Sequence, residues 1–180
     1  APLRGNEAFA YSWHKRLVEE MLARHRASHP ALEQVVFRIG TILGASVNNQ
    51  ITALFEKRRL LAIAGSRSPF VFIHDADLVT CLAQAIESPV TGIFNVAGDG
   101  TMTIDEIADA LGKRVLRLPA WLLQGALAVL HPLGLTRYGP AQVDFLRYRP
   151  VLDNTRLKTV FGFTPRLTSR EAFEVWKNRG

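Results

Sequence analysis

The sequence predicts an α/β fold, and three observations carry that expectation. Stretches with helical periodicity alternate along the chain with short runs of β-branched and aromatic residues. The run at 35–40 (Val35, Val36, Phe37, Arg38, Ile39, Gly40) is apolar almost throughout, as suits a parallel strand covered on both faces. With 180 residues, 48% of them hydrophobic and 21% charged, the chain can also bury a sizeable core.

Each element has a local reason. Asn6 precedes a long helical pattern whose apolar positions are Trp13, Leu17, Val18, Met21 and Leu22, and Pro30 ends it near His29. After the strand at 35–40, residues 40–47 read as a loop. Asn48 or Asn49 then caps a helix to Glu56. Strands are expected at 60–64 and 69–74 around the Gly65-Ser66 turn, followed by a helix to Glu87 capped by Asp75 or Asp77. A strand at 92–96 closes at Gly98-Asp99-Gly100. Thr103 and Glu106 form a capping box for a helix that stops at Gly112. A short strand at 115–118 follows, Pro140 suits the first position of a helix, and Thr168 with Glu171 opens the last helix.

Composition narrows the function. The single cysteine, Cys81, lies in an apolar helical pattern and reads as a core residue, and a cytoplasmic setting follows. The net charge of +6 invites nucleic acid as a partner. Against that, the basic residues are scattered, with Lys57-Arg58-Arg59 the one run of three, and no aromatic residues interleave with them. The apolar stretch 118–133 holds Gln124, His131 and prolines near both ends. It reads as a buried or interface-forming helix, not a span, with peripheral membrane contact a minority reading. His74, Asp75 and Asp77 match no familiar metal-site spacing. Trp13, Trp121 and Trp176 read as core or pocket-wall residues.

Tyr11-Ser12-Trp13-His14-Lys15 places a phenol and an ammonium four residues apart, on one face of the first helix. A cation beside a phenol favours the phenolate, so the tyrosine can exchange a proton with an alcohol or carbonyl oxygen while hydride moves at carbon. The remaining lysine donors can hold a ribose hydroxyl. Taken alone, the pair also fits an amphipathic helix with a partly buried tyrosine and a solvated lysine.

The order of motifs downstream resembles the extended short-chain dehydrogenase/reductase family, the NAD-dependent epimerases and dehydratases. That resemblance covers nearly the whole chain. After the Tyr-x-x-x-Lys helix come Arg38-Ile39-Gly40-Thr41-Ile42-Leu43-Gly44, then Phe72-Ile73-His74-Asp75 running into a helix. Phe94-Asn95-Val96-Ala97-Gly98, Thr103-Ile104-Asp105-Glu106 and Gly162-Phe163-Thr164-Pro165 follow in the family's order. The resemblance implies the C-terminal portion of a Rossmann-type doubly wound parallel sheet with a small α/β substrate region. Residues 1–47 would be a remnant of the dinucleotide-binding domain and 48–180 mainly the substrate region. It implies Tyr11 as acid/base and Lys15 as its tuner and a ribose ligand. Gly40, Thr41 and Ile42 would lie at the nicotinamide, and Asn49 and Phe70 in the substrate pocket.

Two departures shape the reading. No Gly-rich dinucleotide fingerprint occurs, and the chain opens Ala1-Pro2-Leu3-Arg4 with neither methionine nor leader pattern. A truncated chain is expected. NAD or NADP would serve the complete protein but would not bind this chain alone. The strand at 35–40 should then keep an edge open in this chain, or pair with another molecule. The second departure is Phe70, which stands where many nucleotide-sugar enzymes carry an arginine, and this weakens a diphosphate substrate. The substrate could be a nucleotide sugar, a sterol or another alcohol or ketone. The alternatives are a non-catalytic interaction module, self-associating through the sheet edge or the 118–133 helix, or a relative of a sterol or lipid dehydrogenase.

Overall fold

A computed structural model describes residues 10–136, 139–147 and 149–179. In chain order the elements are α1 (Ala10–Ser28), β1 (Val35–Ile39), β2 (Thr41–Leu43), α2 (Gln50–Phe55) and β3 (Arg59–Ile63). They continue with β4 (Phe72–His74), α3 (Asp75–Glu87), β5 (Gly92–Val96), α4 (Ile104–Ala110) and β6 (Arg114–Leu118). The chain finishes with α5 (Ala120–Leu130), α6 (Gln142–Arg147), a π-helical turn (Leu157–Phe161) and α7 (Ser169–Lys177).

The strands form three parallel pairs: β1 with β5, β2 with β4, and β3 with β6. Each pair is joined by a long connection containing helix, the arrangement parallel pairing requires. The α/β expectation therefore holds. Among the described residues β1 pairs with β5 alone, so its other edge carries no strand.

Two apolar clusters hold the elements. In one, Phe55 of α2 sits with Phe70, Phe72, Phe173 and Trp176 at ring separations of 5.2, 6.1, 6.0 and 5.6 Å. Edge-to-face packing at these distances adds to the burial of the rings. In the other, Phe94, Val96, Ile73 and Cys81 meet Leu157 and Phe161 of the π-helical turn. Burial pushes the Cys81 thiol up to about 11, so it stays a protonated core group.

Several sequence expectations are corrected. Residues 41–43 are a strand, because the chain at Gly40 steps sideways and Thr41–Leu43 pair with Phe72–His74. Neither Asp75 nor Asp77 caps α3. His74 occupies the cap position without a side-chain bond, and Asp77 is buried, accepting from the backbone N–H groups of Arg166 and Leu167 at 3.0 and 3.1 Å. Phe70 makes an antiparallel bridge to Met102 in place of strand pairing. Helix α6 begins at Gln142, with Pro140 before it accepting from Val143 N–H. Trp176 is core, but Trp121 is 72% exposed and no residue of α5 is buried. Periodicity could not place the π-helical turn.

Candidate functional site

Gly40 organises one end of the molecule. Ile39 is paired with Val96, and Gly40 N–H still donates to Val96 O at 2.9 Å. One residue on, Thr41 N–H donates to Val71 O at 3.2 Å, and Thr41 is paired with Phe72. The continuous stretch β1–β2 thus changes partner from β5 to β4 at Gly40. This crossing lies at the carboxyl ends of β1 and β5, where open α/β sheets take their ligands. Gly40, Thr41 and Ile42 are brought together there.

The C-terminal segment braces the crossing. Ser169 is fully buried. Its hydroxyl oxygen accepts from Phe72 N–H at 3.1 Å and lies 3.2 and 3.0 Å from the carbonyls of Gly98 and Gly100. Asn154 donates to Ala97 O and to Asp99, each at 2.8 Å. Lys158 donates to the same Asp99 carboxylate, and these two bonds, the Lys158 one first, hold Asp99 below the usual carboxylate range. A Cβ on Gly98 would stand 2.6 Å from Leu167 O, so glycine allows this close approach. At Gly44 a Cβ would fall 2.1 Å from the Asp75 carboxylate, which explains the glycine of that loop.

Helix α1 is tied to β1 by charge. Arg38 donates from Nε and Nη2 to the Glu19 carboxylate at 2.9 and 2.6 Å, a half-buried bidentate pair. Glu19 lies one turn beyond Lys15, so the Arg38 anchor orients the face that bears Lys15. Lys15 itself is exposed. The backbone of Tyr11 is in the first turn of α1, and its side chain lies outside the described residues.

Asn49 caps α2. Its Oδ1 accepts from Ile51 and Thr52 N–H at 2.9 and 3.0 Å, and its Nδ2 donates to Ile42 O at 2.9 Å. The side chain therefore links the cap to the β2 strand next to Gly40. Phe70 is buried among the core aromatics. Over its ring, with Cζ 3.8 Å from the centroid, lies the Arg149 guanidinium.

Sequence reasoning missed the arginines beside this stack. A cavity of about 580 Å³ is lined by Ser12 of α1, by Gly65, Ser66, Arg67 and Ser68 after β3, by Arg147 at the end of α6, and by Arg149 and Pro150 beyond it. The walls are stitched together: Arg149 N–H donates to Ser68 Oγ at 2.5 Å, its Nη1 to Ser68 O at 3.2 Å, and Ser66 Oγ to Arg147 O at 2.8 Å. Arg149 Nε is buried with no hydrogen-bond partner among the described residues. Burial pushes the Arg149 guanidinium down to about 10, so it remains cationic at neutral pH. The local sequence signal for these arginines is the spacing Arg147-x-Arg149. Among the described residues no group of three or more His, Cys, Asp and Glu could hold a metal ion.

No protein-family model matches the chain. An uncharacterized protein of Mycobacterium tuberculosis is 23% identical over 155 residues, covering 84% of this chain and 40% of that protein. Among solved structures, dTDP-glucose 4,6-dehydratase of Bacillus anthracis in complex with NAD superposes with a TM-score of 0.67 at 15% identity, over 99% of this chain and 53% of its own. UDP-glucose 4-epimerase of Thermus thermophilus, also in complex with NAD, gives a TM-score of 0.63 at 20% identity, over 94% and 53%. The chain thus spans about half the length of these solved chains and less than half of the curated relative. Its fold is the Rossmann-like α/β fold of NAD-dependent epimerases and dehydratases.

Proposed function

We propose that this chain supplies the catalytic helix and substrate region of an NAD(P)-dependent epimerase, dehydratase or reductase of the extended short-chain dehydrogenase/reductase type. It acts together with a dinucleotide-binding half. The observation that carries this reading is that Ser12, the residue after Tyr11, lines the same cavity as Arg67, Arg147 and Arg149. A cationic cavity bordered by the helix whose sequence carries Tyr11 suits a substrate with one reacting hydroxyl and one phosphorylated end.

Tyr11 exchanges a proton with the substrate oxygen, and Lys15 favours its phenolate and holds the nicotinamide ribose. The backbone of Gly40, Thr41 and Ile42 borders the nicotinamide end, at the carboxyl ends of β1 and β5. NAD or NADP, when bound, would supply the hydride-transfer chemistry at the substrate carbon. Phe70 provides no bidentate donor, but the Arg149 guanidinium lies over its ring, with Cζ 3.8 Å from the centroid. That guanidinium supports a nucleotide-diphosphate substrate despite the phenylalanine at position 70. Asn49 serves the pocket through the cap it builds. The solved chains of like fold include enzymes of dTDP-glucose and UDP-glucose, which agrees with a phosphorylated substrate.

The test is turnover and cofactor titration of the chain joined to its dinucleotide-binding half, Tyr11→Phe against wild type. Cofactor binding should persist while turnover falls by at least about 10²-fold, the scale of losing a general acid/base. Undiminished turnover would remove Tyr11 from the role.

A further inference from the structure

Helix α5 has its polarity reversed for a helix in water. Its half-buried face is Ala120, Leu123, Gln124 and Leu127, and this face carries the helix's one polar side chain. The outward face is apolar: Trp121 is 72% exposed, Leu122 44% and Val129 61%. Leu133 and Leu135 extend the patch beyond the helix, at 64% and 71%. A surface helix ordinarily turns polar residues outward, and a contiguous patch of large apolar side chains marks a docking surface.

The flanks indicate what docks. From Asp109 to Asp144 the sequence contains no aspartate or glutamate between those two residues. In that interval Lys113, Arg114 and Arg117 precede the helix and Arg137 follows it. Arg114 is exposed, Arg117 is exposed and paired with Asp105, and Lys113 reaches Phe55 O. A second copy of the chain would be drawn by the apolar face, yet it gives no reason for basic residues on both sides of the helix in an interval of sequence without a carboxylate. The edge of β1 is no competitor either, because α5 packs on α6 and α6 on β3, while β1 pairs in a different sheet.

We propose that α5 seats the protein on an anionic lipid surface. Trp121 and Leu122 enter at the headgroup level, Val129 and Leu133 follow, and the exposed Arg114 and Arg117 before the helix meet the lipid phosphates. No helix among the described residues is long and apolar enough to cross a membrane, so α5 lies in the interface.

The experiment is co-sedimentation of the full chain with vesicles of phosphatidylcholine alone and with about 30% phosphatidylserine, at low and high salt. Wild type should pellet with the anionic vesicles and be released by salt. The double variant Trp121→Glu, Val129→Glu should lose at least about tenfold in binding while keeping its thermal melt, since both side chains are exposed. Should that variant fail to fold, quenching of wild-type tryptophan fluorescence by brominated lipid decides the matter, with quenching expected. Three results would overturn the proposal: no binding to anionic vesicles, equal binding to neutral ones, or unchanged binding by the folded variant. A dimer of the wild-type chain, abolished by the same variant and indifferent to vesicles, would assign the face to a second copy instead.

Discussion

Ser169 shows how much one hydroxyl can do. It is buried at the meeting point of Phe72, Gly98 and Gly100, so it joins the start of β4, the turn after β5 and the cap of α7. Replacing it with alanine leaves Phe72 N–H without its acceptor in a site closed to water. Ser169→Ala should cost about 1–3 kcal/mol, read as a fall in the urea midpoint at unchanged slope. A neutral result would mean that water reaches Phe72 N–H. Arg149 makes a different point. Its identity was plain in the sequence, but its importance comes from lying over Phe70, a residue far earlier in the chain. No local pattern encodes that contact.

Helix caps were the most legible elements. Thr103 and Thr168 each form the reciprocal box their sequences promise, because a cap is settled within four residues. The same bonds make α4 acid-sensitive. Glu106 is held below the usual carboxylate range, first by the backbone N–H of Thr103 and then by its hydroxyl. Asp99 is lowered in the same direction by Lys158 and Asn154. A carboxylate depressed in the folded state contributes stability above its unfolded pKa and loses it as pH falls through the folded one. The melting temperature should therefore be flat above about pH 5 and decline below about pH 4. In Glu106→Gln that acid decline should be shallower, which thermal melts across pH would measure. An equal slope in both proteins would discount the cap carboxylate. Where a cap needs partners beyond its own turn, local reading failed: Asp77 looked like a cap and instead holds the loop at Arg166 and Leu167.

At the scale of the whole molecule, α1 and β1 are only partly enclosed by the described fold. Leu17, Val18 and Met21 of α1 are 40%, 48% and 47% exposed, and β1 is paired along one edge. Their backbone amides should exchange faster than those of β4, β5 and α7, which the two cores cover. Adding the proposed dinucleotide-binding half should slow exchange in α1 and β1 and leave α7 unchanged. Hydrogen-exchange mass spectrometry reads both, and uniform protection across the chain would contradict this division. The expected open edge at 35–40 was legible because a strand apolar on both faces needs neighbours, and the chain offers few strands to provide them.

The sequence by itself determined most of the helices and strands, the caps of α4 and α7, and the α/β class, because periodicity, capping and turn chemistry act over a few residues. It also carried the Tyr11 and Lys15 pair as a chemical possibility. Only the tertiary structure decided that Gly40 is where the chain changes strand partners, and that Arg147 and Arg149 share a cavity wall with Ser12. It alone set Phe70 beneath a guanidinium and turned the apolar face of α5 outward. Those facts depend on which distant segments meet, and segment meeting is governed by shape and burial across the whole fold, to which a local pattern has no access.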